Sequence, residues 1–326
     1  MEAADADLAA SREDMRDVLV SLLAEVALNY VDVRTYQARM SVAESNLKSQ
    51  SETFELTSWR QQAGLSDELA VQQARYNLES TRSQIPSLRT GIEEAKNNLA
   101  VLLGEQPGKI HGELEERKPL PEVSTAVAIG VPADVLRQRP DVRRAERQLA
   151  AQTARIGVAK AELYPKFTLS GSIGLEAFST GNLLHSGSRT VSGGAGVTWR
   201  IFDAGAIRQN IEVQSALQEQ YLMAYETAIL NSLKEVENAL TAYAEEEQRR
   251  QALQEAVRAA QQASQQAGYK YQTGLSDFDS VLEAQRSLLN FQDELAQSEG
   301  AVISNLIRLY KALGGGWTSL AVSEEK

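Results

Sequence analysis

The chain has 326 residues, a formal net charge of −11 and no cysteine. The acidic balance excludes nucleic-acid binding through a phosphate backbone, which needs clustered lysine and arginine, and zero cysteine excludes disulfides and thiolate metal sites. Aromatics are only 6% and the long segments are rich in alanine, glutamine, leucine and glutamate, so long helices are expected rather than a compact mixed core.

From Glu2 to about Gln62 the pattern is helical and unbroken by proline. Leu19, Leu23, Val26, Tyr30 and Val33 step by four, three, four and three, a heptad seam. At about 1.5 Å per residue such a helix spans roughly 90 Å, which implies a coiled coil or a helical barrel. Asp67 to Leu103 predicts a helix running back, with Pro86 expected to kink or break it near Ile85. Residues 1–104 therefore read as one long helical hairpin. Its tip is Gly64-Leu65-Ser66-Asp67, where glycine closes one helix and the Ser-Asp pair can cap the next.

Residues 105–165 read as a linker carrying helices. Gly104 to Glu122 is loop-like, with Pro107, Gly108, Pro119 and Pro121. A short helix is expected around Pro132. Another restarts at Arg139-Pro140-Asp141, with proline at a first helical position and aspartate near the positive dipole end. It continues to about Leu163, and Tyr164-Pro165 stops it. The two histidines, His111 and His185, read as surface loop residues.

Residues 166–202 change period. Phe167, Leu169, Gly171, Ile173 and Leu175 alternate with Thr168, Ser170 and Ser172; after a Gly/Ser-rich loop, Val191 to Ile201 alternate in the same way. This predicts a hairpin of two strands. Alternation alone fits either an antiparallel sheet with one wet face or a membrane-barrel strand pair. Trp199 and Phe202, near one strand end, would suit an aromatic girdle.

Residues 203–314 repeat the beginning. Ile229, Leu233, Val236, Leu240 and Tyr243 lie 210 positions after the first seam, and Gly274-Leu275-Ser276-Asp277 lies 210 after Gly64-Leu65-Ser66-Asp67. The register holds without a gap from about Leu19 to Gly104, an internal duplication. A tail, 315–326, follows. The tips differ just beyond the turn. Asp277, Asp279 and Glu283 place three carboxylates within two turns of the second tip, and Asp279 and Glu283 share a face. The first tip has Asp67, Leu69 and Gln73 there. Alone, the acidic set reads as a solvated face plus a cap. The chain shows no nucleophile–base set, metal spacing or phosphate loop, so no enzyme, cofactor or metal is expected.

Three stretches carry a family resemblance: Arg137-Gln-Arg-Pro-Asp-Val-Arg-Arg-Ala-Glu146, Ile156-Gly-Val-Ala-Lys-Ala-Glu-Leu-Tyr-Pro165 and Trp199-Arg-Ile-Phe-Asp-Ala-Gly205. Together with Ile85-Pro-Ser-Leu88 and Asn98 to Gly104, the sequence closely resembles the TolC-like outer membrane efflux proteins, NodT/OprM branch. The resemblance implies a mainly α fold with a small β part, two repeats of antiparallel helical hairpins forming a trimeric α-barrel, and a β-hairpin contributing to an outer-membrane β-barrel. It implies an exit duct in the outer membrane with a long periplasmic extension, surrounded by outer-membrane lipid. Its partners would be a periplasmic adaptor and an inner-membrane pump of the resistance–nodulation–division type. In a trimer the acidic residues of the second tip would form rings that select cations and resist closure unless protons, cations or arginine relieve them. The resemblance assigns this gate to Asp279, Glu283 and Asp277, with Tyr271 and Arg286 as latch partners. Gly64, Leu65, Ser66, Asp67, Gly274, Leu275 and Ser276 would form the tips that meet the adaptor.

Glu2-Ala-Ala-Asp5 aligns with Glu212-Val-Gln-Ser215, already inside the second long helix. A first strand pair, a signal peptide and a lipid-anchored cysteine are therefore expected upstream of Met1, lost to a start assigned too far downstream or to truncation. As written, three chains would bring six strands rather than twelve, too few to close a family-type barrel. The competing readings are a soluble coiled-coil scaffold, favoured by the heptads and missing leader, and a periplasmic adaptor. The strand pair argues against the first and two hairpins at a fixed offset against the second.

Overall fold

The computed structural model describes residues 1–121, 137–184 and 186–315. The short helix expected around Pro132, His185 and Trp317 lie outside them. The chain divides into two compact units, Met1–Met15 with Pro140–Leu230, and Arg16–Arg139 with Asn231–Lys326. The long elements are α1 (Glu2–Gln62), α2 (Glu68–Leu102), α3 (Pro140–Ala161), β1 (Lys166–Leu175), β2 (Arg189–Thr198), α4 (Ala206–Gln272) and α5 (Phe278–Ala312). None of the described helices is long and apolar enough to cross a membrane.

In the larger unit each hairpin has its own apolar core. Val33, Ala95, Leu99 and Ala100 pack together in the first, with Val26 and Tyr30 against them. Val236, Ala239, Leu306 and Leu309 do so in the second, with Leu240 and Tyr243. Val26, Tyr30, Val33 and Leu99 each find their counterpart 210 positions later, so the duplication extends to packing. The predicted seam is covered only in part, because Leu23 and Leu233 remain 37% and 41% exposed. Beside Leu23 the buried positions are Val20 and Ala24, on either side of it. A straight helix drifts by about 20° per heptad, so one stripe cannot face one partner along its whole length.

One expectation is corrected here and two are sharpened. Pro86 does not break α2, which runs unbroken from Glu68 to Leu102. Ile85 and Tyr36 pack onto the buried cluster Met40, Ala43, Leu88 and Ile92, so tertiary contacts hold the turns on both sides of the proline. Gly91 permits this approach, since a Cβ there would lie 2.8 Å from the Tyr36 ring. Through Pro121 the segment after Gly104 is loop and turn as expected, with one 3-10 turn at Gly112–Leu114, and it is packed onto the first hairpin. Ile110 and Leu114 are buried in the first core, and Arg34 and Gln37 donate to the carbonyls of Glu116 and Leu114 at 2.6 and 2.7 Å. His111 is drawn in with it, its Nε2 3.1 Å from Glu93 Oε2.

In the smaller unit α3 is tied to the first turns of α1 by Arg155–Asp7 and Arg144–Asp14, at 2.7 and 2.5 Å. Gln152 donates to Gln214 of α4. The strands pair antiparallel with Lys166 opposite Thr198 and Leu175 opposite Arg189. This register sets Phe167 against Val197, Leu169 against Ala195 and Ile173 against Val191. Thr168, Ser170 and Ser172 fall on the other face, where the Ser172 and Ser192 hydroxyls meet at 2.8 Å. Every strand position is exposed on both faces.

The ladder ends at Thr198, four residues short of the expected 202. The Trp199 indole N–H donates to the Leu163 carbonyl at 3.1 Å, tying the strand foot to the end of α3. Asp203 then accepts from Gly205 and Ile207 N–H at 3.0 and 2.8 Å, starting α4. The Ile207 and then the Gly205 amide hold the Asp203 carboxyl below its ordinary value.

Candidate functional site at the hairpin tips

Both tips are built on one backbone device. Leu65 N–H reaches the Arg60 carbonyl at 2.7 Å and Gly64 N–H the Gln61 carbonyl at 2.9 Å. At the second tip Leu275 reaches Lys270 at 2.8 Å and Gly274 reaches Tyr271 at 3.1 Å. Gly64 and Gly274 sit at φ +72° and +75°, the left-handed cap that glycine adopts without strain.

The next residues separate the tips. Asp67 Oδ1 accepts from Ala70 N–H at 2.9 Å, a true N-cap. Asp277 has the extended backbone of a cap (φ −72°, ψ 158°), but its side chain makes no cap hydrogen bond. The expectation that the Ser-Asp pair caps both return helices therefore holds for the first tip alone. Ser276 Oγ donates only weakly, to the Asp277 carbonyl at 3.4 Å.

Behind the turns the hairpins share an apolar cluster. Tyr271, Phe278, Val281 and Leu282 of the second pack with Ala70 and Ala74 of the first, and Phe54 closes one side. Tyr271 meets Phe278 edge-on, with ring centroids 5.4 Å apart. Arg60 lies 4.8 Å over the Tyr271 ring and donates to the Gln272 carbonyl at 3.3 Å. The Tyr271 hydroxyl is 3.5 Å from Ser66 Oγ.

Asp277, Asp279 and Glu283 are all exposed. Asp279 Oδ1 accepts from Gln73 Nε2 at 2.8 Å. Glu283 makes no ion pair among the described residues. Arg286 turns from the carboxylates of its own helix to the first hairpin. It lies 4.9 Å over the Tyr76 ring and donates to Asn77 Oδ1 at 3.4 Å. Tyr76 is its own counterpart 210 positions earlier. Deeper along the same seam Gln285 donates to Thr53 Oγ1 at 2.8 Å, and Arg39 pairs with Asp293 at 2.8 Å. Beside the second tip a cleft of about 430 Å³ is lined by Glu52, Leu56, Gln265 and Tyr269 among others.

The structure thus brings Tyr271, Ser66, Asp279 and Arg286 into inter-hairpin contacts, while Asp277 and Glu283 stay at the surface. Sequence reasoning missed Arg60, Gln73, Tyr76 and Asn77. Gln73 had entered only as the neutral counterpart of Glu283. No local periodicity marked it, because Gln73 lies six positions after Asp67 and does not share its helix face.

A family profile described as outer membrane efflux protein matches residues 1–105 and 131–315. Nodulation protein T of Rhizobium leguminosarum bv. trifolii is 34% identical over 322 residues, 98% of this chain and 68% of the relative. The solvent efflux pump outer membrane protein SrpC of Pseudomonas putida is 33% identical over 310 residues, 95% of this chain and 65% of the relative. The solved outer-membrane channel OprN superposes with a TM-score of 0.89 at 36% identity, covering 97% of this chain and 71% of that one. The outer membrane protein VceC of Vibrio cholerae gives 0.84 at 26% identity, covering 97% and 75%. The chain spans about two thirds of the length of these sequence relatives.

Proposed function

Because this chain belongs to the outer membrane efflux protein family, we propose that it is the exit duct of a tripartite efflux system, carrying small molecules passively out of the cell. The observation that carries this reading is the β1–β2 pair. An isolated two-stranded hairpin is marginal in water, and this one leaves Phe167, Leu169, Ile173, Val191 and Val197 exposed on one face. Such a face is satisfied by lipid, with the serine and threonine face turned to a lumen. Among the relatives that match over nearly the whole chain, SrpC is a solvent efflux pump outer membrane protein and OprN an outer-membrane channel by name, which favours a duct over a tether or an adaptor.

In this reading the chain works as a homotrimer, docked at its tips to a periplasmic adaptor and through it to an inner-membrane pump of the resistance–nodulation–division type. Asp279 and Glu283 line the periplasmic mouth. Three copies of each give rings of carboxylates that favour cations and oppose closure. The Arg60–Tyr271 stack, the Gln73–Asp279 bond and the Arg286 contacts hold the second tip against the first, and opening requires them to part. The carboxylates and latch do no chemistry; they set the resting aperture.

The test is insertion into planar bilayers of the purified protein in a form that carries both strand pairs, the upstream pair expected from the duplication included. Discrete cation-preferring conductance steps are expected, and complementation of a strain lacking its own duct should restore solvent or drug tolerance. A protein that is trimeric and bilayer-inserted yet electrically silent and unable to complement would overturn the reading.

A further inference from the structure

At the foot of the strand pair a cavity of about 460 Å³ opens between the end of α3 and the start of α4. Its size lies in the range of small-ligand sites, about 300–1,000 Å³. Val158 and Ile207 give it apolar walls, and Arg155, Glu162, Arg200 and Asn210 give it polar ones. The charges are of both signs and are not fully spent on one another. Arg155 is committed to Asp7 at 2.7 Å. Glu162 gives one carboxylate oxygen to Lys166. Its other oxygen is only 3.5 Å from Arg200, whose guanidinium is 65% exposed.

The cavity's surroundings fix its level. Trp199, Ile201 and Phe202 flank Arg200 and are 52%, 82% and 89% exposed, and the indole is anchored by its bond to Leu163. An amphipathic indole such as that of Trp199 sits where hydrocarbon gives way to headgroups, and exposed Ile201 and Phe202 add apolar surface beside it. The apolar face begins immediately beyond, at Phe167 and Val197.

From this geometry we infer that the cavity holds the headgroup of a zwitterionic phospholipid bearing a primary ammonium, with its phosphodiester at Arg200 and its ammonium at Glu162. The inference rests on the outer-membrane reading above. Arg200 offers a planar fork of donors that suits phosphate oxygens. Glu162 is an acceptor only, so it rewards a headgroup that can donate N–H. A quaternary ammonium cannot donate, and an anionic glycerol headgroup brings no positive charge to it. Of the charged neighbours outside the lining, Lys166 holds the other Glu162 oxygen, Asp7 is held by Arg155, and Asp203, which also faces Arg200, accepts from the Gly205 and Ile207 amides.

The test is lipid retention by the purified full chain in detergent micelles, read by native mass spectrometry with equal amounts of phosphatidylethanolamine, phosphatidylcholine and phosphatidylglycerol. Phosphatidylethanolamine should be retained about fivefold over the others, the scale of one partly exposed charge pair. Retention should fall stepwise along the N-methyl series, a readout that needs no variant. Glu162→Gln should remove the preference for ethanolamine over choline, and Arg200→Gln should lower retention of all three, with helicity by circular dichroism unchanged. Equal retention of the three lipids, or a preference that survives Glu162→Gln, would overturn the inference. So would displacement by an equal concentration of soluble glycerophosphoethanolamine, which would make the site one for a free phosphodiester. Micelle binding needs no conductance, so a lipid preference without channels sinks the duct alone, and channels without a preference sink this site alone.

Discussion

Gln73 Nε2 lies 2.8 Å from Asp279 Oδ1 and bridges the return helix of the first hairpin to the tip of the second. The bond leaves Asp279 half-satisfied by a neutral donor and leaves Glu283, one turn deeper, facing solvent. If these carboxylates line the mouth, Asp279→Ala combined with Glu283→Ala, in a form of the protein that carries both strand pairs, should raise ion leak and reduce cation preference in planar bilayers. Gln73→Glu should also raise leak, by setting a carboxylate against Asp279. Conductance and selectivity identical to the unaltered protein would remove these residues from the gate.

The two caps give a prediction of their own. Asp67→Ala removes a hydrogen-bonded N-cap and should cost about 1 kcal/mol of local stability. Asp277→Ala removes no such bond. Amide exchange resolved along α2 and α5 should therefore speed up at Ala70 in the first variant and stay unchanged at the start of α5 in the second. Equal acceleration at both helix starts would show that Asp277 caps after all.

The duplication of the packing can be weighed directly. Leu99 and Leu309 are 5% and 1% exposed at matching positions of the two cores. Each Leu→Ala change leaves a cavity and should cost about 2–5 kcal/mol, with similar shifts in the denaturation midpoint. A cost confined to one of them would mean that only one hairpin carries the stability of the larger unit.

Asp203 gives a pH dependence. Its carboxyl is held below the ordinary 3.8 by the Ile207 and Gly205 amides. A depressed folded-state value means that its contribution is fully present above 3.8 and is lost as pH falls through the lower folded value. Thermal melts from pH 6 downward should therefore show a loss below pH 3.8 that is smaller in Asp203→Asn, whose amide oxygen accepts without titrating. Parallel acid profiles would place that loss elsewhere.

Much of this was legible in the sequence because it is local. The bounds of α1, the glycine stops and the strand alternation depend on neighbours a few residues away. The duplication was legible because identical spacing survives at 210 positions. What stayed hidden depends on partners far along the chain. Nothing around Pro86 announces that Tyr36 and Met40 will hold its helix together. Nothing in Asp277 distinguishes it from Asp67 until the amide it should meet is seen unmet. Tyr271 could be matched to a latch by resemblance, but its burial under Arg60 follows from the closeness of two tips that sequence alone leaves apart.

Gly64 and Gly104 bracket one return helix, Gly274 and Gly314 the other, and all four sit at positive φ with the same backbone closure behind them. Each pair is forty positions apart. An insertion or deletion inside one return helix would therefore leave it out of step with its twin by 1.5 Å or so for every residue changed. The two return helices are held to a common length, and a change tolerated in one should survive only with its match in the other.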